Sequence, residues 1–157
     1  MQVIGSVFSR GGRDGDFNWM IDRPEYADAL FIFNDNEEQF RAHCDNPRDA
    51  YGCSSGGGNA AIRPYQCKEP PRAAGIPTGV DGKGYGKLTG EVRAVIDRAI
   101  ANIRGLIASG RYSRVIYSAA DASGQLGTGI FKVATDVKQY IVEQLQSLWK
   151  EEKSHGT

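Results

Sequence analysis

The chain has 157 residues, 19 Lys+Arg against 19 Asp+Glu, and a formal net charge of +0. That length suits one domain able to bury a core without disulfides, and the balanced charge argues against a general nucleic-acid or DNA binder. No apolar run approaches the ~20 residues of a membrane span, and residues 1–8 lack the charged and apolar regions of a signal peptide, so no membrane association and a cytoplasmic location are expected.

Residues 2–9, QVIGSVFS, alternate apolar and polar positions and predict a strand. RGGRDGDFNWM is a Gly/Asp-rich loop ending in aromatics. The continuous apolar run in ADALFIFND, 27–35, predicts a buried strand. Asn36 can cap a short helix over NEEQFRAHC. Residues 45–61 read as loop, and AAIRPYQ as a short strand that Pro64 confines to an edge or an end. The Pro- and Gly-rich stretch 68–90 reads as one long irregular loop.

From Thr89 to Gly110 the apolar residues Val92, Val95, Ile96, Ala99, Ile100, Ile103, Leu106 and Ile107 recur at three and four, one face of a helix. Thr89 fits its N-cap and Gly110 its stop. YSRVIYSAAD predicts a strand, and GQLGTGIF, 124–131, a turn into an apolar end. TDVKQYIVEQLQSLWK predicts a second amphipathic helix, with Val137, Tyr140, Ile141, Leu145 and Leu148 inward. The expectation is an α/β fold: a single compact ligand-binding domain over 1–150, with a small mixed or antiparallel sheet and two long C-terminal helices. Residues 151–157 read as a disordered tail. The order strand, strand, loops, helix, strand, helix lacks clean βαβ alternation, which argues against a doubly wound fold.

Cys44, Cys53 and Cys67 make an odd count in an expected cytoplasmic setting, so free thiols are expected rather than disulfides. Their spacing, with His43, fits no zinc pattern of paired ligands. No metal and no cofactor are expected.

Four glycine-bearing loops, 55–58, 75–79, 82–86 and 124–129, each lie near a polar or aromatic side chain: Asn59, Thr78, Tyr85 and Thr128. Exposed backbone N–H groups on such loops can form anion-binding concavities; taken singly, each loop is better explained by turns needing positive φ, and the four together favour a binding surface. SSGGGNAAIRPYQ is no P-loop, because the Gly-Lys-Ser/Thr ending is missing. Arginines add a second signal, since guanidinium matches phosphate bidentately. Arg63 follows the GGG loop, and Arg111 and Arg114 flank the exit of the long helix. Arg98 and Arg104 belong to a solvated face. No nucleophile elbow or Cys-His pair beyond adjacent His43-Cys44 occurs, and Asp81 and Asp121 lack partners. The residues favour a binder over a catalyst, with no catalytic residue assigned.

FIFNDNEEQF, GGGNAAIRPYQ, AAGIPTG followed by GYGKL, IDRAIANI, IYSA, LGTGIFKV and DVKQYI together resemble a family of small phage proteins that counter bacterial immunity, the first described Thoeris anti-defence family. The resemblance spans about residues 27–145. It implies binding of a cyclic ADP-ribose isomer, the product of a TIR-domain enzyme, and sequestration without degradation in the cytoplasm of the infected bacterial host. It implies homo-dimers associating into hexamers, and, in some relatives, cyclic di- or trinucleotides bound at a separate site. Carried over, Tyr85 stacks on adenine, Arg111 and Arg114 face phosphates, and Asn59 and Thr128 lie on the binding loops. Arg63 becomes a specificity or assembly residue. The family pattern has Gly-Phe where this chain has Gly84-Tyr85, and Cys44–Ser55 looks like an insertion. GGGNAA and LGTGIF also resemble the phosphate loops of macrodomains, which makes a macrodomain-like ADP-ribose hydrolase the competing expectation; the missing strand–helix alternation speaks against it. A structural phage protein without ligand is the third.

Overall fold

The computed structural model describes residues 1–155, with side chains described through Trp149. Its strands are β1 (Gln2–Val7), β2 (Ala29–Asn36), β3 (Ala73–Val80), β4 (Lys83–Gly84) and β5 (Arg114–Ala119). Its α-helices are α1 (Phe17–Met20), α2 (Glu37–Asp45), α3 (Gly90–Ile107) and α4 (Thr135–His155). Short 3₁₀ helices cover Pro24–Tyr26 and Gly58–Cys67. The single five-stranded sheet runs β1-β5-β2-β3-β4. The first four strands are parallel and only β4 is antiparallel, so the sheet is mixed. α3 and α4 are the longest helices among the described residues, with β5 between them. The helix α4 continues past 150, while Gly156 and Thr157, the end of the expected tail, lie outside the described residues.

The strand–helix alternation that the sequence hides is therefore present. β2 leads through α2 and the 58–67 helix to β3, and β3 leads through α3 to β5. Two misread segments concealed it. β3 has the sequence AAGIPTGV, and its first seven residues are buried. Glycine and proline usually mark loops, but here they serve close packing: a Cβ at Gly75 would lie 2.7 Å from Asp35 Oδ2 and 3.1 Å from the Phe33 ring. Pro77 sits beside the register slip between Asp35 and Asn36, where a missing donor is tolerated. The expected edge strand AAIRPYQ is instead 3₁₀ helix. Its buried residues Asn59, Ile62, Arg63 and Gln66 recur at three and four, a helical rather than a strand spacing.

Both faces of the sheet are covered. Leu30, Ile32, Ile76, Val115 and Tyr117 pack under α2, α3 and α4. Phe31, Phe33, Ala73 and Ile116 meet α1 and Ile62 of the 58–67 helix. This explains the unbroken apolar run of β2, whose alternate residues feed two cores. The caps follow the sequence reading: the Asn36 side chain accepts from Gln39 N at 2.8 Å and Thr89 Oγ1 from Val92 N at 3.1 Å, and Gly110 ends the long helix at φ +79°.

Cys53 and Cys67 form a disulfide, which overturns the expectation of free thiols for that pair; Cys44 is the free cysteine. The 14-residue separation and the intervening helix hid this proximity from a spacing argument.

Candidate functional site

In open sheets with parallel strands, ligands bind outside the carboxyl ends, where consecutive connections leave in opposite directions. Here that point lies between β5 and β2. Side chains at the ends of these strands tie three loops together. Ser118 Oγ accepts from Asn59 Nδ2 at 2.7 Å, and Asn59 Oδ1 accepts from Phe17 N at 2.9 Å. On the other face, Asn34 Nδ2 donates to the Gly127 carbonyl at 2.6 Å. Gly127 N donates to the Ser118 carbonyl at 3.0 Å, folding the loop after β5 back onto its own strand. A Cβ at Gly127 would lie 2.9 Å from the Ala119 backbone, so only glycine permits the approach.

Beyond these ties the loops open. Thr128 is half-buried, Gly129 has φ +61°, and then Ile130 is 94% and Phe131 51% exposed. Phe8 after β1 is 39% exposed. At Gly57 and Gly58, where the 58–67 helix begins, nothing lies within 4 Å of the place a Cβ would take. The edge thus combines bare backbone, a helix start and exposed apolar side chains.

Of the residues expected to bind a ligand, Asn59 and Thr128 both lie at this end of the sheet, Asn59 as a buried strut. Arg63 is close but turned inward. It is 3% exposed, and its Nη2 and Nε donate to Asp35 Oδ1 at 2.9 and 3.1 Å. Its Nη1 donates to the Ser54 carbonyl at 3.0 Å, and its guanidinium lies 5.6 Å over the Phe33 ring. Arg63 therefore pins the 54–58 loop to β2, and its guanidinium is turned away from solvent rather than displayed. Burial pushes the Asp35 carboxyl up, against the pull of Arg63. Asp35 Oδ2 is buried without a hydrogen-bond partner.

Tyr85 corrects a second expectation. It is 5% exposed, inside the larger core, and its hydroxyl donates to Glu37 Oε1 at 2.6 Å. Burial and that carboxylate push the phenol well up. The flanking glycine does not free the ring: a Cβ at Gly84 would lie 2.4 Å from the Lys132 carbonyl oxygen. Close packing, not display, sets Gly84 and Tyr85, while Gly86 has open space around it.

Arg111 and Arg114 lie at the opposite end of the sheet, where β5 begins. Arg114 pairs with Asp28 and the Glu25 carbonyl and lies 5.2 Å over the Tyr26 ring; Arg111 is exposed. Neither shares a surface with Asn59 and Thr128. The bond from Arg114, with one from Ser113, holds the Asp28 carboxyl down to about 2. Because the folded value lies below the ordinary one, this stabilisation is full above pH ~4 and is lost as pH falls through about 2. Arg114→Gln is expected to reduce this pH-dependent increment between pH 4 and 2, leaving the part that Ser113 supplies, read from acid melting curves of the two proteins.

Sequence reasoning missed Asn34, Ser118, Phe8, Ile130 and Phe131. Ile130 and Phe131 read only as the apolar end of a turn. The available signal was Gly-Thr-Gly directly before them, which lifts the pair off the body of the protein. Among the described residues no helix is long and apolar enough to cross a membrane. In comparisons with protein-family models, curated proteins and solved structures, the chain matches none.

Proposed function

We propose that the chain binds an ADP-ribose-type nucleotide at the carboxyl edge of its parallel strands and holds it without turnover. The observation that supports this is that the loop after β1, the loop after β5 and the start of the 58–67 helix all lie at the carboxyl end of the parallel strands, with Asn59 bonded to Ser118. The diphosphate lies on the open backbone at Gly57 and Gly58, where the 58–67 helix begins. The base packs against Phe131 or Phe8. Thr128 and the backbone of Gly129 face the sugar. The resemblance noted in the sequence specifies a cyclic ADP-ribose isomer serving as an immune signal. A protein present above its dissociation constant then lowers the free signal by mass action alone.

Retention without chemistry is supported by the state of the nearby carboxylates. Asp35 is buried and bonded to Arg63. Asp121 is held down by bonds from the Ser123 hydroxyl and backbone, so it stays ionised near neutral pH and is a poor proton donor. A macrodomain-like ADP-ribose hydrolase is the second reading, favoured by the strand–helix alternation and parallel sheet. Incubation with cyclic and linear ADP-ribose, heat denaturation and chromatography of the released molecules separates the two. Sequestration returns about one intact nucleotide per chain, hydrolysis returns products, and release of nothing rejects both.

Ile130 and Phe131 supply a sharper test. A base stacked on an aromatic side chain contributes roughly 1–3 kcal/mol, or about 5- to 150-fold in affinity. The double variant Ile130→Ser/Phe131→Ser is expected to lose affinity in that range by calorimetric titration, with an unchanged melting point. A lowered melting point with affinity kept would make the pair structural. The dimeric or hexameric assembly implied by the same resemblance predicts a mass of at least twice the chain by light scattering at micromolar concentration; a monomer contradicts it.

A further inference from the structure

Away from the nucleotide edge, three side chains with soft or borderline donor atoms converge. His43 near the end of α2, Cys53 in the turn that follows, and Cys67 at the end of the 58–67 helix bring their ligand atoms within 4.8 Å of one another. His43 Nδ1 lies 3.8 Å from Cys67 Sγ. We propose that, with the Cys53–Cys67 disulfide reduced, these three side chains bind one zinc ion, and that disulfide and zinc are alternative staples of the same junction.

The geometry suits the metal. Zn–S bonds of about 2.3 Å and Zn–N bonds of about 2.0 Å in a tetrahedron put ligand atoms roughly 3.5–3.8 Å apart. The histidine–sulfur separation already matches that edge. The two cysteine Cα atoms are 6.0 Å apart, so the thiolates can part to the same distance by side-chain rotation. All three residues are half-buried, and His43 lines a cavity of about 260 Å³ with Cys44, Arg98 and Asn102. An ion can reach His43 from this cavity, and a water completes the tetrahedron.

The junction is also held by contacts other than the disulfide. Gln39 Nε2 donates to the Tyr51 carbonyl at 2.8 Å and Gln66 Nε2 to the Gly52 carbonyl at 2.7 Å. A Cβ at Gly52 would lie 2.9 Å from His43 N and 3.0 Å from its Cα. Only glycine lets the turn press against the backbone of His43, and two amide side chains clamp it there. These ties keep Cys53 beside His43 and Cys67 when the sulfur–sulfur bond is open. In the sequence the ligands stand 10 and 14 residues apart, which is why no paired motif announces them.

The chemistry balances. A dithiol reductant gives two electrons and two protons to the disulfide and becomes a cyclic disulfide. Zinc then binds the two thiolates and the neutral imidazole, releasing the two thiol protons. A peroxide reverses this: it takes two electrons from the thiolates, forms the disulfide, yields two hydroxide ions and frees the zinc. In a reducing compartment the zinc form is the resident one.

The test uses the full chain, reduced with a dithiol and freed of it without air. Zinc binding is measured by competition with a chromophoric chelator, and cobalt(II) replaces zinc to show thiolate-to-metal charge transfer. One ion per reduced chain is expected, none on the disulfide form, and stoichiometric release on adding hydrogen peroxide. His43→Ala should weaken binding by at least about tenfold, the low end of what even outer-shell changes cost. Cys44→Ser should leave binding unchanged. Should the reduced chain need zinc to fold, the metal-dependent recovery of its helical circular dichroism replaces the titration. Equal uptake by the disulfide form, uptake unaffected by His43→Ala, dependence on Cys44, or a reduced chain that neither binds zinc nor folds with it overturns the proposal.

Discussion

Arg63→Ala is expected to destabilise the chain by about 3–5 kcal/mol, the usual consequence of stripping one partner from a buried ion pair. The Arg63–Asp35 pair has almost no solvent to fall back on: its side chains are 4% and 0% exposed. Without the guanidinium, Asp35 keeps its bond from Asn36 N at 2.9 Å and loses both bonds to Arg63. The Ser54 carbonyl and the 54–58 loop lose their anchor as well. The pH dependence follows from the direction of the shift. The folded Asp35 carboxyl already lies above its ordinary value, through burial, and removing Arg63 raises it further. A folded value above the unfolded one means that the native state holds the proton more tightly. The deficit of Arg63→Ala should therefore shrink as pH falls towards the ordinary value of 3.8 and be largest at neutral and alkaline pH. Melting curves across pH check this. Removing both charges, as in Asp35→Leu/Arg63→Met, should cost less than the two single changes added together. An Arg63→Ala protein that melts like the parent but loses ligand would restore Arg63 to the ligand.

Tyr85→Ala should cost about 3–5 kcal/mol, as for other buried aromatics. At about 2–4 °C per kcal/mol for a chain of this size, the melting point falls by some 6–20 °C. Tyr85→Phe loses only the bond to the Glu37 carboxylate, about 1.5–3 kcal/mol. In both variants the folded fraction should bind nucleotide with unchanged affinity, because the ring faces the core and not the loops. This is the opposite of what a Gly-Tyr-Gly display loop predicts. Lost affinity at an unchanged melting point in Tyr85→Ala would place the ring at the ligand after all.

The two kinds of glycine explain how far the sequence could be read. Helices α2 and α3, strands β2 and β5, and the caps at Asn36 and Thr89 were legible because large apolar residues repeat with one period and a capping side chain stands where it is needed. β3 was not, because a strand squeezed between Phe33, Asp35 and α3 is built from the smallest residues. Gly75 and Gly79 look like turn residues only when their neighbours are unseen. Gly57, Gly58 and Gly129 are glycines of the other sort, with open space around them, and no spacing rule separates the two sets. Charge was misleading in the same way. Arginine signals phosphate when exposed, but Arg63 and Arg114 are spent on Asp35 and Asp28. Asn59 and Thr128 stand at the carboxyl end of the sheet, Asn59 bonded to Ser118 at the end of β5 and Thr128 in the loop that follows β5. That Phe8, Gly57 and Ile130 stand at one end of the sheet follows from strand order and has no linear trace.

Backbone amide chemical shifts during titration with a cyclic ADP-ribose isomer test the location of binding most directly. The account predicts saturable shifts concentrated at Phe8 to Gly12, Gly56 to Asn59 and Gly127 to Phe131, with Tyr85, Arg111 and Arg114 little moved. Shifts concentrated at Arg111 and Arg114, shifts confined to the cavity beside His43, or no saturable change at all would contradict it.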